Sequence, residues 1–102
     1  MARETLRQKQ SRFARMVSHL ISHAYFMGYE VTLGDAYREG DPRNHGKRLA
    51  IDLNLFSDGK YLQSTEAHQG LGDFWEGLAP DARWGGRFND GNHYSLEHRG
   101  IK

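Results

Sequence analysis

The chain has 102 residues, with 14 Lys and Arg against 13 Asp and Glu, and no cysteine. Its near-balanced charge does not favour nucleic acid as a partner, and the lack of thiols excludes both a disulfide framework and a cysteine metal site. The length predicts one domain over residues 1–102, and no apolar run approaches the roughly 20 residues of a membrane span. We therefore expect a monomer without membrane insertion.

The first predicted element is a long helix over residues 3–27. Apolar residues recur at three- and four-residue steps between Leu6 and Met27, with charged and amide residues between them. Gly28 is a natural stop for such a helix. His19 and His23 lie four residues apart, a spacing that can bind metal, but the Glu of a His-Glu-x-x-His motif is absent. We assign this pair to the solvated side of the helix.

A short strand is predicted over residues 29–33, followed by a polar turn. Arg38 comes soon after the end of this strand, which is a common place for a functional side chain. The alternative is an exposed Arg38 that pairs with Glu39 or Asp41. Spacing alone leaves both interpretations open.

Residues 49–56 alternate between two faces, the pattern of a strand with one buried side. The faces are Leu49, Ile51, Leu53 and Leu55 on the apolar side and Ala50, Asp52 and Asn54 on the polar side. His45 lies seven residues before Asp52, so in an unbroken strand the two side chains would point to opposite faces. They converge only if the chain turns between them, and Gly46 permits such a turn.

The Asp-Gly pair at 58–59 predicts a two-residue hairpin turn with a return strand after it. A second helix follows, capped by Ser64 or Thr65 and closed by Pro80. His68 lies in its first turns, where a lone His is usually structural or exposed.

The last informative stretch runs from Trp84 to Leu96. Gly-Gly at 85–86 lets the backbone turn sharply, and from Asn92 onward the pattern alternates again. This alternation allows His93 to face a cleft while Tyr94 packs inward.

Three of these residues could form a metal site. Catalytic zinc typically has three protein ligands and an open position, and His45, Asp52 and His93 meet that count. A zinc hydrolase also needs a base near the attacking water. Asp90, three residues before His93, is well placed for that role.

A cationic donor that steadies a developing oxyanion would complete the site. Arg38 is the leading candidate and Arg48 the runner-up. We also assign Arg48, Ala50 and Asn54 to substrate contacts around the cleft.

These residues resemble a known family. His45 and Asp52, followed by Trp-Gly-Gly-x-Phe-x-Asp-x-x-His at 84–93, are similar to the pattern of the zinc D-Ala-D-Ala carboxypeptidases and L-alanyl-D-glutamate endopeptidases. That family includes phage endolysins and vancomycin-resistance dipeptidases. The resemblance covers most of the chain and is strongest to short, single-domain phage endolysins.

The resemblance implies a site and a fold. It implies one zinc ion per chain, held by His45, Asp52 and His93, with Asp90 as the acidic base and Arg38 on the substrate carbonyl or oxyanion. It also implies an α+β fold of the Hedgehog/DD-peptidase type, in which a small antiparallel sheet carries the site and helices pack on its other face.

Three positions depart from the family pattern. Arg43 stands where many members have Ser, Arg48 where many have Gly, and Asp90 where many have Glu. The first two concern substrate contacts around the cleft rather than the metal. Asp90 shortens the base by one methylene, so it must approach the water more closely.

We therefore expect a zinc peptidase of the peptidoglycan stem peptide, a phage endolysin that cuts the L-alanyl-D-glutamate bond to lyse its host. No secretion signal is recognisable, so we expect storage in the host cytoplasm, release by a separate holin-type protein and action in the periplasm or cell wall. Two alternatives stay open: a D-Ala-D-Ala carboxypeptidase or dipeptidase, and a non-catalytic wall-binding phage protein with a structural zinc.

Overall fold

The computed structural model describes residues 3–102, so the first two residues of the predicted domain lie outside the description. The described residues form two helices, α1 (Leu6–Phe26) and α2 (Gln69–Glu76). The strands are β1 (Glu30–Leu33), β2 (Ala50–Ser57), β3 (Lys60–Leu62), β4 (Ala82–Trp84) and β5 (His93–Leu96). Short 3₁₀ turns occupy Asn44–Lys47, Glu66–His68 and Gly85–Phe88. The predicted α+β class with a small antiparallel sheet is confirmed.

β2 is the central strand of the sheet, and every pairing is antiparallel. Its second half pairs with β1 on one edge and with β3 on the other. Its first half pairs with β5, which in turn pairs with β4. In this register Asp52 is the direct partner of His93. Two of the three predicted metal ligands are therefore cross-strand neighbours.

α1 begins three residues later than predicted because Thr5 caps it. The Thr5 hydroxyl accepts from the Gln8 N–H at 3.1 Å, and the Gln8 side chain accepts from the Thr5 N–H at 2.8 Å. Gly28, in the left-handed region at φ 92°, follows the helix end as predicted. No helix among residues 3–102 combines the length and apolar character needed to cross a bilayer. The buried face of α1 comprises Phe13, Met16, Val17, Leu20 and Ala24.

The alternation along β2 is confirmed on its apolar face. Leu49, which precedes the strand, is fully buried, as are Leu53 and Leu55, and they join one core cluster with the buried face of α1 and with Trp75 and Tyr94. This core fixes the register of β2, because a shift by one residue would move every leucine to the polar face.

Two elements differ from the prediction. β4 is a three-residue strand that sequence reasoning did not predict, and it exists because it pairs with β5. The second helix is shorter than predicted. The Ser64 hydroxyl accepts from the Ala67 N–H at 3.2 Å, and this contact starts a 3₁₀ turn ahead of α2. The hairpin at 58–59 is confirmed, since both residues have the positive φ that a tight turn between antiparallel strands requires.

Candidate metal centre

His45 reaches the polar face of β2 from the 3₁₀ turn just before it. The predicted turn between His45 and Asp52 is present, but its glycine has another role. The left-handed residue is Arg48, at φ 56°. Gly46 is required because a Cβ at this position would collide with the carbonyl group of Asp41. Close packing against that loop therefore sets the place of His45.

His45, Asp52 and His93 converge at one point. Asp52 Oδ1 lies 3.3 Å from His45 Nε2 and 3.5 Å from His93 Nδ1. One ligand atom from each residue lies within 4.8 Å of the others, and both imidazoles are buried. Metal bonds of about 2.0–2.1 Å at tetrahedral angles place ligand atoms about 3.3 Å apart. This His-Asp-His group could therefore bind a metal ion.

A main-chain oxygen orients one of the two imidazoles. His93 Nε2 lies 3.2 Å from the Lys102 oxygen, which also accepts from the Ser95 hydroxyl at 3.1 Å. When Nε2 donates this proton, Nδ1 is unprotonated and can bind a metal. His45 Nδ1 is instead buried without a partner among the described residues.

Asn44 holds the segment that supplies this oxygen. Its side chain is 1% exposed, and its amide donates to the carbonyls of Leu96 at 3.0 Å and Ile101 at 2.9 Å. Residues 98–101 form a bridge of their own beside it. The C-terminal segment is thereby fixed against β5, next to His93. Nothing in the spacing of the sequence signals this role.

Asp90 lines the same cleft from the turn that precedes β5. Its N–H donates to the Gly85 carbonyl at 2.9 Å, and its own carbonyl accepts from the His93 N–H at 3.0 Å. A Cβ on Gly85 would collide with the Asp90 carbonyl oxygen and would lie 2.7 Å from His93 Cβ. The Asp90 residue is exposed, and its carboxylate has no hydrogen bond or ion pair among residues 3–102.

Trp84 supports the loop that carries Asp90 and His93. Its indole N–H donates to the Gly91 carbonyl at 2.7 Å. Gly72 and Gly86 pack so closely on the indole ring that a Cβ on either would overlap it. The residues of the Trp-Gly-Gly motif therefore determine the shape of this loop through close packing.

Arg38 lies at the rim of the cleft, where it forms the predicted ion pair with Asp41 and a further one with Asp35. Its Nη2 is 2.7 Å from Asp35 and 3.9 Å from Asp52, and its Nη1 is 3.4 Å from Asp41. The side chain is 51% exposed. The hydrogen bond to Asp35 raises the pKa of Arg38, so the guanidinium stays charged.

The three predicted substrate-contact residues do not line this cleft. Arg48 lies over the Tyr37 ring at 3.9 Å and lines an apolar cavity beneath α1 instead. Ala50 is fully buried. Asn54 lies further along β2, where its amide donates to the Thr32 hydroxyl at 3.2 Å.

The cleft has a volume of about 180 Å³ and includes residues that sequence reasoning missed. Arg43 was visible only as a departure from the family pattern. Phe88 places its ring 5.9 Å from that of His93. The residues that line the cleft in addition to the five predicted ones are Asp41, Arg43, Asn44, Phe88 and Lys102.

The other histidines considered from the sequence, His19, His23 and His68, do not line this cleft. His23 stacks on Phe74 at 3.9 Å between ring centroids, and among the described residues neither it nor His19 belongs to a group that could hold a metal. His68 is buried beneath β5, where its Nδ1 lies 2.8 Å from the Tyr94 hydroxyl.

Comparison with protein-family models finds no match to the chain, and a search of curated proteins finds none. Among residues 3–102, one cleft combines a His-Asp-His group, a carboxylate without a partner and the guanidinium groups of Arg38 and Arg43.

Proposed function

We propose that the protein is a zinc peptidase of the peptidoglycan stem peptide, a phage endolysin with a Hedgehog/DD-peptidase type of fold. The observation that carries the proposal is the carboxylate of Asp90, which has no partner within the described part of the chain and lies in the same cleft as His45, Asp52 and His93. A metal that only stabilised the fold would need no such carboxylate. Its presence supports catalysis over a purely structural metal.

Zinc suits this donor set. Two imidazoles and a carboxylate are ligands that zinc accepts, and three protein ligands leave one position open, as in catalytic sites. When bound, zinc supplies Lewis acidity that activates water and polarises a scissile carbonyl. His93 offers Nδ1 because its Nε2 donates to the Lys102 oxygen.

The chain's own residues move the protons and hold the charge. Asp90 accepts a proton from the attacking water and returns it to the leaving amine, so the carboxylate is regenerated in each cycle. Arg38 donates to the developing oxyanion. It can do so while paired with Asp35, because that pairing does not use all N–H groups of the guanidinium.

The substrate bond we propose is the one between L-Ala and D-Glu. Its hydrolysis detaches the stem peptides from the glycan, so cross-links fail throughout the wall. Removal of a terminal D-Ala leaves existing cross-links intact. The site of action is therefore the cell wall of the host bacterium.

One observation favours a second candidate, a D-Ala-D-Ala carboxypeptidase. Arg43 lines the cleft and forms no ion pair among the described residues. A free guanidinium beside the metal centre is suited to bind the terminal carboxylate of a peptide.

Digestion of purified peptidoglycan by the zinc-loaded protein distinguishes the endopeptidase from the carboxypeptidase. Mass spectrometry should detect new L-Ala carboxyl ends and new D-Glu amino ends. Release of D-Ala alone would establish the carboxypeptidase instead. A zinc-loaded protein that cleaves neither bond would contradict both enzymatic assignments.

A further inference from the structure

Asn44 is a buried polar residue at the wall of the metal cleft, with 1% of its surface exposed. It directly precedes His45 in the 3₁₀ turn Asn44–Lys47. Its carbonyl accepts from the Leu49 N–H at 2.9 Å, and this bond closes the turn just before β2. The main chain of Asn44 is therefore part of the element that supplies the first imidazole of the candidate metal centre.

The side chain of Asn44 makes its contacts in a different part of the chain. Its Nδ2 donates to the carbonyls of Leu96 at 3.0 Å and Ile101 at 2.9 Å. Carbonyl oxygens only accept, so both contacts require the NH₂ group and fix the orientation of the amide. Its Oδ1 is buried without a partner among residues 3–102. The two donated hydrogen bonds are therefore the contribution of this amide to the fold.

The C-terminal segment, residues 98–102, has few hydrogen bonds to the rest of the protein. A bridge between His98 and Ile101 closes a turn whose two central residues are exposed and have positive φ. Apart from the contacts of Lys102 itself, the bond from Asn44 is the only hydrogen bond that the rest of the described chain makes to the segment beyond His98. Loss of this bond should therefore loosen the end of the segment.

The end of this segment faces the second imidazole. The main-chain oxygen of Lys102 lies 3.2 Å from His93 Nε2 and accepts from the Ser95 hydroxyl at 3.1 Å. Because this oxygen only accepts, the contact with His93 requires a proton on Nε2, and Nδ1 of the neutral ring then carries none. Nδ1 is the atom on the side of Asp52, 3.5 Å from its Oδ1. The place of the Lys102 oxygen therefore favours the tautomer that can bind a metal.

We infer that Asn44 is a positioning residue of the metal centre. Through Ile101 it holds the Lys102 oxygen in the place where that oxygen keeps Nδ1 of His93 available to a metal. The inference rests on the proposed function for the zinc ion and does not depend on which bond is cut. Loss of an outer partner of a metal-bound histidine typically lowers metal affinity about 10–100-fold, so Asn44 should affect zinc affinity on that scale.

Titration with zinc chloride, in competition with a chelator of known affinity, tests the inference. Asn44→Ala removes both donors and keeps all three proposed ligands, and its zinc affinity should fall about 10–100-fold. Ser95→Ala removes the second partner of the Lys102 oxygen, so its zinc affinity should fall about fivefold, the effect of one neutral hydrogen bond. Asn54→Ala is the matched control. It removes an amide hydrogen bond from β2 without touching the C-terminal segment and should bind zinc like the parent.

The tautomer of His93 provides a readout that general destabilisation would not move. In ¹⁵N NMR spectra of the metal-free parent at pH 8, where histidines are neutral, the ring proton of His93 should be on Nε2. In Asn44→Ala the form with the proton on Nδ1 should become populated. The ring of His68 lies outside the cleft and should give the same spectrum in both proteins.

Two results would overturn the positioning role. One is an Asn44→Ala protein with the zinc affinity of the parent. The other is a loss of zinc affinity without a change in the tautomer of His93, which would mean that Asn44 only stabilises the fold. If Asn44→Ala does not fold, Ser95→Ala decides, and parent values of zinc affinity and tautomer in that variant would refute the inference.

Failure of the proposed function has a different signature. A parent protein that binds zinc and cleaves no peptidoglycan would contradict the peptidase, and the comparison of zinc affinities would still decide the role of Asn44. A parent protein that binds no zinc would contradict the metal centre, and the positioning role would fall with it.

Discussion

Asp52 and Asp90, two of the carboxylates that line the cleft, differ in their surroundings. Asp52 lies between two buried imidazoles, with its side chain 21% exposed and its Oδ1 close to both rings. Asp90 reaches the same cleft from an exposed turn and has no partner among the described residues. The first is therefore suited to hold a cation and the second to exchange a proton.

Asp90→Asn tests this division. The variant is nearly isosteric, so zinc content and melting temperature should match those of the parent. Loss of a general base should reduce the rate of wall hydrolysis by about 10²–10⁴-fold. Asp58→Asn, in the exposed hairpin turn, is the matched control and should keep the parent rate. An Asp90→Asn protein that hydrolyses walls at the parent rate would show that Asp90 is not the base.

The two candidate arginines can be separated in the same assay. Arg38 lines the cleft, whereas Arg48 covers the Tyr37 ring outside it. Arg38→Ala should lower kcat by about 10²–10³-fold, the usual cost of removing an oxyanion donor. Arg38→Lys keeps the charge but loses the planar fork, so it should remain impaired. An active Arg38→Ala protein together with an inactive Arg48→Ala protein would reverse the two roles.

At the scale of elements, the loop from Gly85 to His93 decides the geometry of the site. Gly85→Ala places a methyl group against the Asp90 carbonyl and His93 Cβ, so the loop must shift. Overpacking of this kind typically costs about 1–3 kcal/mol, and it should also weaken zinc binding. Zinc titration and thermal denaturation measure the two effects.

Gly70→Ala is the matched control for Gly85→Ala. Gly70 is in α2, and a Cβ there meets no atom within 4 Å. Replacement of a helical Gly by Ala stabilises by roughly 0.5–1 kcal/mol, so the melting temperature should rise and zinc affinity should not change. If Gly85→Ala behaves like Gly70→Ala, the loop does not depend on this close packing.

Sequence patterns predicted the elements that bury an apolar face. The leucines of β2 and the apolar face of α1 repeat with the period of their element, because the core accepts only one side of each. The turn between His45 and Asp52 was also predicted, because their odd spacing allows the two side chains to converge only if the chain turns between them. β4 was missed because three residues are too few to show a period, and only pairing with β5 creates the strand.

The contacts around the site were less predictable than its ligands. Arg48 turns away from the cleft because its left-handed backbone and the Tyr37 ring place it beneath α1, and no local pattern encodes either. Ala50 alternates with buried leucines as expected, but its own face is also covered. Asn44 acts through contacts with Leu96 and Ile101, which are more than 50 residues away in sequence. Such contacts follow only from the complete fold.

At the scale of the whole molecule, distant parts of the chain assemble the site. Arg12 on α1 binds Asp81, which precedes β4, at 2.7 Å and thereby ties the first helix to the far edge of the sheet. In the last part of the chain, the main-chain oxygen of Lys102 lies 3.2 Å from His93 Nε2. Because Asp52 and His93 meet only when β2 and β5 are paired, a metal ion bound at this site should stabilise the folded sheet.

The buried pair of His68 and Tyr94 links the stability of the whole molecule to pH. Burial lowers the pKa of His68, so below about pH 6.5, the ordinary value for histidine, the unfolded chain binds a proton that the folded chain resists. The contribution of a neutral His68 is therefore complete above that pH and is lost as the pH falls. Burial also raises the pKa of Tyr94, so its hydroxyl stays protonated throughout this range.

Replacement of His68 by a group that does not titrate should remove this dependence. The free energy of unfolding of the parent, measured in urea, should fall between pH 7 and pH 5, and His68→Gln should show a smaller fall. His19→Gln changes an exposed histidine on α1 and should retain the parent slope. Both variants keep every other histidine of the parent, so the comparison isolates His68. Equal slopes for the parent and His68→Gln would mean that the folded protein accommodates a charged His68 as readily as water does.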